Sequence, residues 1–215
     1  MLRLKLNKES LLLYLVTDRS WLGDHSLISQ VEKSLNNGVT FLQLREKHLD
    51  DESFLKLAIE MKQLANGYDV PFVINDNIDI AIKSDSDGVH IGQDDISIEE
   101  ARRIIGEDKI LGVSVGTVEE AMLAEKLGAD YLGVGAMFST NTKGDARDTS
   151  IETLKNICEA VKIPVVAIGG IKKDNISLLK DSGIDGVAVV SAILAQKDID
   201  KSTCELKGIC EKTFR

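Results

Sequence analysis

The stretch TVEEAMLAEKLGADYLGVG, residues 117–135, contains the unit from which the fold can be predicted. Thr117 is suited to cap a helix, with Glu120 at the capping-box position, and Gly128 can end that helix. The apolar residues 131–135 then have the composition of a strand that is buried on both faces. The stretch therefore predicts a helix followed by a strand of a parallel sheet.

Similar units recur along the chain. Strands are predicted at residues 14–17, 41–45, 71–75, 88–91, 110–114, 131–135, 165–168 and 186–190. Helices are predicted at residues 27–36, 51–66, 98–105, 118–127, 151–161 and 176–182. Eight such units in 215 residues favour an α/β protein with a single-domain (β/α)8 TIM barrel. An open doubly wound sheet is less well supported, since no glycine-rich dinucleotide fingerprint follows the first strand.

Length and charge limit the classes of function. We expect residues 1–215 to form one domain, with residues 198–215 as a C-terminal helix and tail. The net charge of −9 argues against a general nucleic-acid binder, because nucleic-acid phosphates attract a basic face. No apolar stretch reaches membrane-spanning length, and the first residues lack a signal-peptide pattern, so a cytoplasmic protein is predicted. The oligomeric state, including a homo-oligomer, is left open.

A basic cluster follows the second predicted strand. Gln43, Arg45 and Lys47 alternate there, so a regular strand would direct all three side chains to one side of the sheet. The guanidinium fork and the ammonium point charge are both suited to phosphate oxygens. The alternative is a solvated strand end with salt bridges to Glu46 and Asp50.

Carboxylates follow the third and fourth predicted strands. Asn75 and Asp76 end the third strand, and Asp94 and Asp95 follow the fourth. Carboxylates from neighbouring strand ends can approach one cation, and Mg²⁺ is the ion that uses few carboxylates together with waters and a substrate phosphate. The alternative is that Asn75 and Asp95 only cap turns or helices. Chemistry alone does not separate Asp94 from Asp95.

The later strands end in small and polar residues. The loop at residues 138–145 carries hydroxyls and an ammonium suited to a second anion, although a plain surface loop has the same composition. Gly169-Gly170 and Val190-Ser191 end the last two strands. In barrels these positions often bind phosphate through backbone N–H groups.

Other reactive residue types receive no catalytic role. His90 lies within a strand and is interpreted as packed or hydrogen-bonded rather than catalytic. The three cysteines are scattered, and no base is recognisable beside any of them. Core positions are predicted for Met61, Met122 and Met137.

In this order, these motifs resemble those of the thiamine-phosphate synthase (thiamine phosphate pyrophosphorylase) family. The resemblance covers nearly the whole chain, from Tyr14 to Ala195. The motifs that carry it are Gln43-Leu44-Arg45-Glu46-Lys47, Asn75-Asp76, Gly92-Gln93-Asp94-Asp95, Gly112-Val113-Ser114, Thr140-Asn141-Thr142-Lys143, Ile168-Gly169-Gly170-Ile171 and Val190-Ser191.

The resemblance implies a role for each motif. The positions implied to contact the pyrimidine diphosphate are Gln43, Leu44, Arg45, Glu46, Lys47, Asn75 and Ser114. Those implied to hold the thiazole phosphate are Thr140, Asn141, Thr142, Gly170, Val190 and Ser191. Lys143 would reach the diphosphate, and the groups implied to act in catalysis are Arg45, Lys47, Ser114 and Lys143. Mg²⁺ would be held by Asp76 and Asp95, since the family places its ligand at the second acidic position.

The implied reaction is the transfer of a pyrimidine-methyl group. The methylene carbon of 4-amino-2-methyl-5-(diphosphooxymethyl)pyrimidine would join the nitrogen of 4-methyl-5-(2-phosphooxyethyl)thiazole, or of its carboxylated form, giving thiamine phosphate and diphosphate. A carbocation would form first, while cations take the charge of the departing diphosphate. The implied partners are these two substrates.

Two departures from the family pattern and two rival functions accompany the resemblance. Residues 115–117 stand where many relatives carry a histidine-bearing segment, and Gly144 stands where they usually show a second basic residue. The resemblance leaves two alternatives for Gly144: a weaker grip on the second phosphate, or substitution by Arg147. One rival is a thiazole tautomerase on the same barrel, which needs no metal carboxylates. The other is a barrel that only binds a phosphorylated small molecule.

Overall fold

The structure, a computed structural model, describes residues 6–23, 25–139 and 149–215. Within these ranges eight parallel strands close into a barrel in chain order, with the last strand paired to the first. They are β1 (Leu13–Val16), β2 (Phe41–Leu44), β3 (Phe72–Asn75), β4 (Gly88–Ile91), β5 (Ile110–Val115), β6 (Tyr131–Val134), β7 (Val165–Ile168) and β8 (Gly186–Val189). The predicted (β/α)8 barrel is confirmed.

α-Helices connect the first seven strands, a 3-10 turn lies between the last two, and two further α-helices follow the last strand. The α-helices are α1 (Leu27–Asn36), α2 (Asp51–Asn66), α3 (Ile78–Lys83), α4 (Ile98–Ile105), α5 (Val118–Lys126), α6 (Ile151–Ala160), α7 (Ser191–Leu194) and α8 (Ile199–Phe214). Short 3-10 helices lie at Lys8–Leu11, Arg19–Trp21 and Ile176–Leu179. No helix in the described ranges combines the length and the apolar content needed to cross a bilayer.

Local capping explains most of the helix boundaries. The Thr117 hydroxyl accepts the Glu120 N–H at the start of α5, as the sequence predicted. The sequence analysis missed α3, because Ile78-Asp79-Ile80 alternates like a strand, yet the Asn77 side chain caps this helix by accepting the Ile80 N–H. The predicted helix at residues 176–182 is wrong: only one 3-10 turn forms, without a side-chain cap.

The strands are buried on both faces. Tyr14, Phe41 and Tyr131 pack inside the barrel, while Leu42 and Leu44 pack between the barrel and the helices. Burial on both sides explains why these strands contain so few polar residues. Met61 and Met137 are buried as predicted, but the prediction for Met122 is wrong, since it is 54% exposed on α5.

Aspartates tie the amino ends of the strands together in pairs. The carboxylates of Asp87, Asp130 and Asp185 lie just before β4, β6 and β8. They accept the backbone N–H groups of Phe72, Leu111 and Val165, which begin or lie near the start of β3, β5 and β7. These acids stabilise the amino-terminal face, so the carboxyl-terminal face is available for chemistry.

Candidate active site

The turn after β3 presents the carboxylate of Asp76 at the mouth of the barrel. Asp76 has a φ of 62°, in the left-handed region that aspartate tolerates better than most residues. Its N–H donates to the His90 carbonyl on β4 over 2.8 Å, which fixes this conformation. Asn75 is the last residue of β3 and does not cap the next helix, because Asn77 does.

Asp95 reaches the same place from the loop after β4. Its Oδ2 accepts the Gly92 N–H over 2.7 Å, and the Asp76 carboxyl lies near enough to act on its pKa. Burial and then the nearby Asp76 carboxyl raise the pKa of Asp95 above its ordinary value. Asp76 and Asp95 therefore lie at one rim of the barrel, close enough for their carboxyl groups to interact.

Lys47 supplies the positive charge beside this pair. Its Nζ donates to Asp76 Oδ2 over 2.7 Å, and both side chains are partly exposed. The ammonium also lowers the pKa of Asp95, but less than burial and the Asp76 carboxyl raise it. One ammonium and two carboxyl groups therefore lie together at the mouth.

The rest of the basic cluster differs from a simple alternating strand. β2 ends at Leu44, so Arg45 and Lys47 lie beyond it. Arg45 Nη1 pairs with Asp18 Oδ2 over 3.2 Å, and Glu46 pairs with Arg19 over 2.7 Å. The predicted alternative of salt bridges to Glu46 and Asp50 within this cluster is wrong.

The remaining residues of the β2 motif have different surroundings from one another. Gln43 is 4% exposed and its amide nitrogen donates to the Tyr14 hydroxyl inside the barrel. The Leu44 side chain packs under the helices, so only its backbone is available to a ligand. The Asp50 carboxylate caps α2 by accepting the Ser53 N–H. Asp18 and Arg19 were missed by the sequence analysis, although their position after β1 is the signal that marks the other site residues.

Ser114 lies on β5 and is partly buried. Its hydroxyl is 2.9 Å from His90 Nε2, and its carbonyl accepts the Gln93 side-chain amide over 2.7 Å. His90 is hydrogen-bonded, as the sequence analysis predicted. These bonds hold Ser114 at the carboxyl end of its strand.

A cavity of about 580 Å³ adjoins the ends of β7 and β8. Gly170 and Ser191 line it, and a Cβ at Gly170 would lie 2.5 Å from the Phe138 carbonyl oxygen. Only glycine fits that approach, at a φ of 64°. Lys172 and Lys173 also line the cavity, although the sequence analysis gave them no role. Val190 precedes α7, and its carbonyl accepts the Ile193 and Leu194 N–H groups.

Some predicted site residues lie outside the described residues. They are Thr140, Asn141, Thr142 and Lys143, together with Gly144 and Arg147.

Two cysteines are unsuited to nucleophilic chemistry at neutral pH. Burial raises the pKa of the Cys158 and Cys210 thiols to about 12. These thiols therefore stay protonated.

The described residues hold no group of three or more His, Cys, Asp or Glu side chains arranged around a metal. The Asp76 and Asp95 pair could contribute two ligands, and the others would come from water and a bound phosphate. Hard oxygen donors at the open mouth of the barrel fit Mg²⁺ in its usual phosphate-bridging role.

Known proteins are similar to this chain in sequence and in fold. The family model described as thiamine monophosphate synthase matches residues 13–193. The thiamine-phosphate synthase of Clostridium tetani is 50% identical over 91% of this chain and 94% of its own. The thiamine-phosphate synthase of Clostridium botulinum is 51% identical over 96% of this chain and 97% of its own. The structure of thiamine phosphate pyrophosphorylase from Pyrococcus furiosus matches with a TM-score of 0.90 at 41% identity, covering 97% of this chain and 99% of that one.

Proposed function

The chain belongs to the thiamine monophosphate synthase family, and we propose that it condenses the pyrimidine diphosphate with the thiazole phosphate. The products are thiamine phosphate and diphosphate. Identity near 50% over almost the whole length of two thiamine-phosphate synthases supports this function. Within the molecule, the observation that carries it is the convergence of Lys47, Asp76 and Asp95 at one rim.

These three residues suit a metal-bound diphosphate. Two carboxylates alone would repel the diphosphate, so a cation between them and the phosphate oxygens is needed. Mg²⁺ held by Asp76 and Asp95 would neutralise the charge that develops on the departing diphosphate. Lys47 is close enough to Asp76 to reach the same phosphate oxygens.

The remaining diphosphate contacts come from three strand ends. Arg45, already oriented by Asp18, offers the guanidinium fork that matches phosphate oxygens. Asn75 and Ser114 add neutral donors from β3 and β5. Lys143, with the other residues of its motif, completes this assignment as an expectation from the family resemblance. Leu44 and Glu46 would contribute through their backbones, because their side chains are engaged elsewhere.

The second substrate is assigned to the cavity between β7 and β8. Gly170, after β7, lets the backbone approach an anion closely. Val190 and Ser191 follow β8, and Ser191 lines the cavity. Lys172 and Lys173 line the same cavity together with Asp174 and Glu205, and Lys173 Nζ lies 3.5 Å from Glu205 Oε2. Gly144 stands where relatives usually carry a second basic residue, and Arg147 as its substitute stays an expectation from the family resemblance.

The proposed chemistry is dissociative. The electron-rich aminopyrimidine stabilises a carbocation, and cations disperse the charge on the diphosphate as the bond breaks. The thiazole nitrogen then attacks the methylene carbon. This route needs no protein nucleophile, and the protonated Cys158 and Cys210 thiols offer none.

The experiment follows thiamine phosphate and diphosphate together. Both substrates, each substrate alone, and both with a magnesium chelator are compared. We expect equal amounts of the two products only with both substrates and Mg²⁺. Asp95→Asn should abolish most turnover, while Asp94→Asn, a change at the neighbouring exposed acid, serves as the matched control.

Two other outcomes identify the rival functions. Isomerisation of a thiazole phosphate without the pyrimidine substrate, unaffected by the chelator, would identify a tautomerase. Saturable phosphate binding without any product would identify a ligand-binding barrel. A cytoplasmic location stays a prediction from the sequence.

A further inference from the structure

Five polar side chains form a continuous line across the interior of the barrel. The Gln43 amide nitrogen donates to the Tyr14 hydroxyl, which is 2.8 Å from the Tyr131 hydroxyl. The Tyr131 hydroxyl is 2.9 Å from His90 Nδ1, and His90 Nε2 is 2.9 Å from the Ser114 hydroxyl. The line therefore connects two residues at the mouth, Gln43 and Ser114, through side chains that are almost completely buried.

The protons of this line can be assigned in one direction. Tyr14 accepts from Gln43 and can give its own proton to Tyr131, which can donate in turn to His90 Nδ1. Nε2 then carries the imidazole proton and donates to Ser114. In the opposite direction Tyr14 would accept from both neighbours, and its own proton would have no acceptor within the line.

Burial keeps both phenols of the line neutral. The interior raises the pKa of both Tyr14 and Tyr131 well above the ordinary value for a phenol, so each retains its proton at neutral pH. Each phenol therefore has one proton to donate, as the order given above requires.

Glycines on the neighbouring strands make room for the line. Gly112, on β5, lies opposite His90 of β4 on one side and opposite Tyr131 of β6 on the other. A Cβ at Gly112 would lie 2.2 Å from Tyr131 Cζ and 2.5 Å from His90 Nδ1. A Cβ at Gly133, on β6, would lie 3.2 Å from His90 Cε1. These glycines leave the space that the two rings fill.

We propose that His90 is a positioning residue which makes the Ser114 hydroxyl a donor toward the substrate. Because His90 Nε2–H occupies an acceptor site of Ser114, the Ser114 proton is left for a ligand. Diphosphate oxygens are acceptors only, so they match a donor serine. If Ser114 instead donated to His90, its lone pairs would face the anion and repel it. This inference rests on the proposed function, since it assigns Ser114 to the diphosphate.

Two substitutions of His90 distinguish the roles of its two ring nitrogens. The amide nitrogen of His90→Gln can take the place of Nε2 and still donate to Ser114. The shorter side chain of His90→Asn matches the position of Nδ1 and can accept from Tyr131 only. We expect His90→Asn to lower kcat by on the order of 10- to 100-fold, and His90→Gln to stay within about fivefold of the parent. The KM for the thiazole phosphate should not change.

The same His90 substitution in a Ser114→Ala protein distinguishes a positioning role of His90 from a packing role. In Ser114→Ala there is no hydroxyl to orient, so His90→Asn should cause no further loss beyond about twofold. Equal losses from His90→Asn in both backgrounds would overturn the proposal, because a packing defect acts whether or not Ser114 is present. Full activity of His90→Asn, or equal losses from His90→Asn and His90→Gln, would also overturn it.

The tautomer of His90 can be read without any turnover. In the parent protein labelled with ¹⁵N-histidine, we expect Nε2 of His90 protonated and Nδ1 acting as an acceptor. The His90 signal is identified as the one that persists when the other histidines are replaced in His25→Gln and His48→Gln. A protonated Nδ1 would overturn the proposal even if the His90 variants fail to fold. If the parent fails to condense the two substrates but shows the expected tautomer, the proposed function falls and the hydrogen-bonded line stands.

Discussion

The ammonium of Lys47 donates a hydrogen bond to the carboxylate of Asp76 over 2.7 Å, joining the loop after β2 to the turn after β3. Without a metal, this bond offsets part of the negative charge of Asp76 and Asp95. Under the proposed function, a cation in that position would free the ammonium for the diphosphate. Lys47 would then have a different partner in the free protein and in the substrate complex.

Lys47→Ala is therefore expected to affect two ligands in opposite directions. Mg²⁺ alone should bind slightly more tightly, because a competing cation has been removed, whereas diphosphate with Mg²⁺ should bind about tenfold or more weakly. Calorimetric titrations measure both affinities. Lys56→Ala, which removes an exposed charge on α2, is the control. Parallel losses of both affinities would contradict this account of Lys47.

Asp76 combines a chemical role with an unusual backbone conformation. Asp76→Asn should reduce kcat/KM by about 2 to 4 kcal/mol of transition-state stabilisation while leaving the fold intact, because asparagine tolerates a positive φ. Asp76→Ala should lose a similar amount of activity and also about 1 kcal/mol of unfolding free energy. Kinetics and urea unfolding of the two variants test this difference. Equal stabilities would show that the φ of 62° is not strained.

Asp95 should reduce stability when no cation is bound. Its pKa is raised in the folded state, so the folded protein holds this proton more tightly than the unfolded chain. The charge therefore lowers stability above that pKa, and the penalty disappears at acid pH, where both states are protonated. With chelator at neutral pH, Asp95→Asn should raise Tm by about 1 to 2 °C. Asp94→Asn should not, and a fall in Tm for Asp95→Asn would contradict the sign.

The two lysines beside Gly170 should act on the second substrate. Lys172→Ala and Lys173→Ala are each expected to raise the KM for the thiazole phosphate by about three- to tenfold, with little change in kcat, because they bind substrate and transition state alike. Lys180→Ala, which removes a nearby exposed charge, is the control. If the KM for the pyrimidine diphosphate changed instead, the assignment of these lysines to the thiazole phosphate would be wrong.

Gly112 should be intolerant of a side chain. Gly112→Ala would place a Cβ 2.2 Å from Tyr131, so we expect a loss of about 1 to 3 kcal/mol in unfolding free energy. Gly116→Ala is the matched control, because its Cβ would meet no atom closer than 3.7 Å. Denaturant unfolding measures both. A fully stable Gly112→Ala would mean that the interior can move to accept the methyl group.

The short elements show where sequence patterns fail. Residues 78–83 alternate as a strand would, but one capping side chain makes them a helix. Residues 176–182 have a helical composition, yet only four of them form a 3-10 turn before Asp181 takes a positive φ. In elements this short a single cap or turn residue outweighs the periodic pattern, and that residue is hard to identify from the sequence.

The sequence alone determined the eight strand positions and the polar residues after them. Parallel strands in a barrel send all their carboxyl ends to one face, so residues far apart in the chain could be assigned to one site. Only the tertiary structure decided which of those residues meet. Lys47 with Asp76, Arg45 with Asp18, and the line from Gln43 to Ser114 are contacts across strands. Such contacts depend on strand register and side-chain direction, which are set by the closed barrel as a whole.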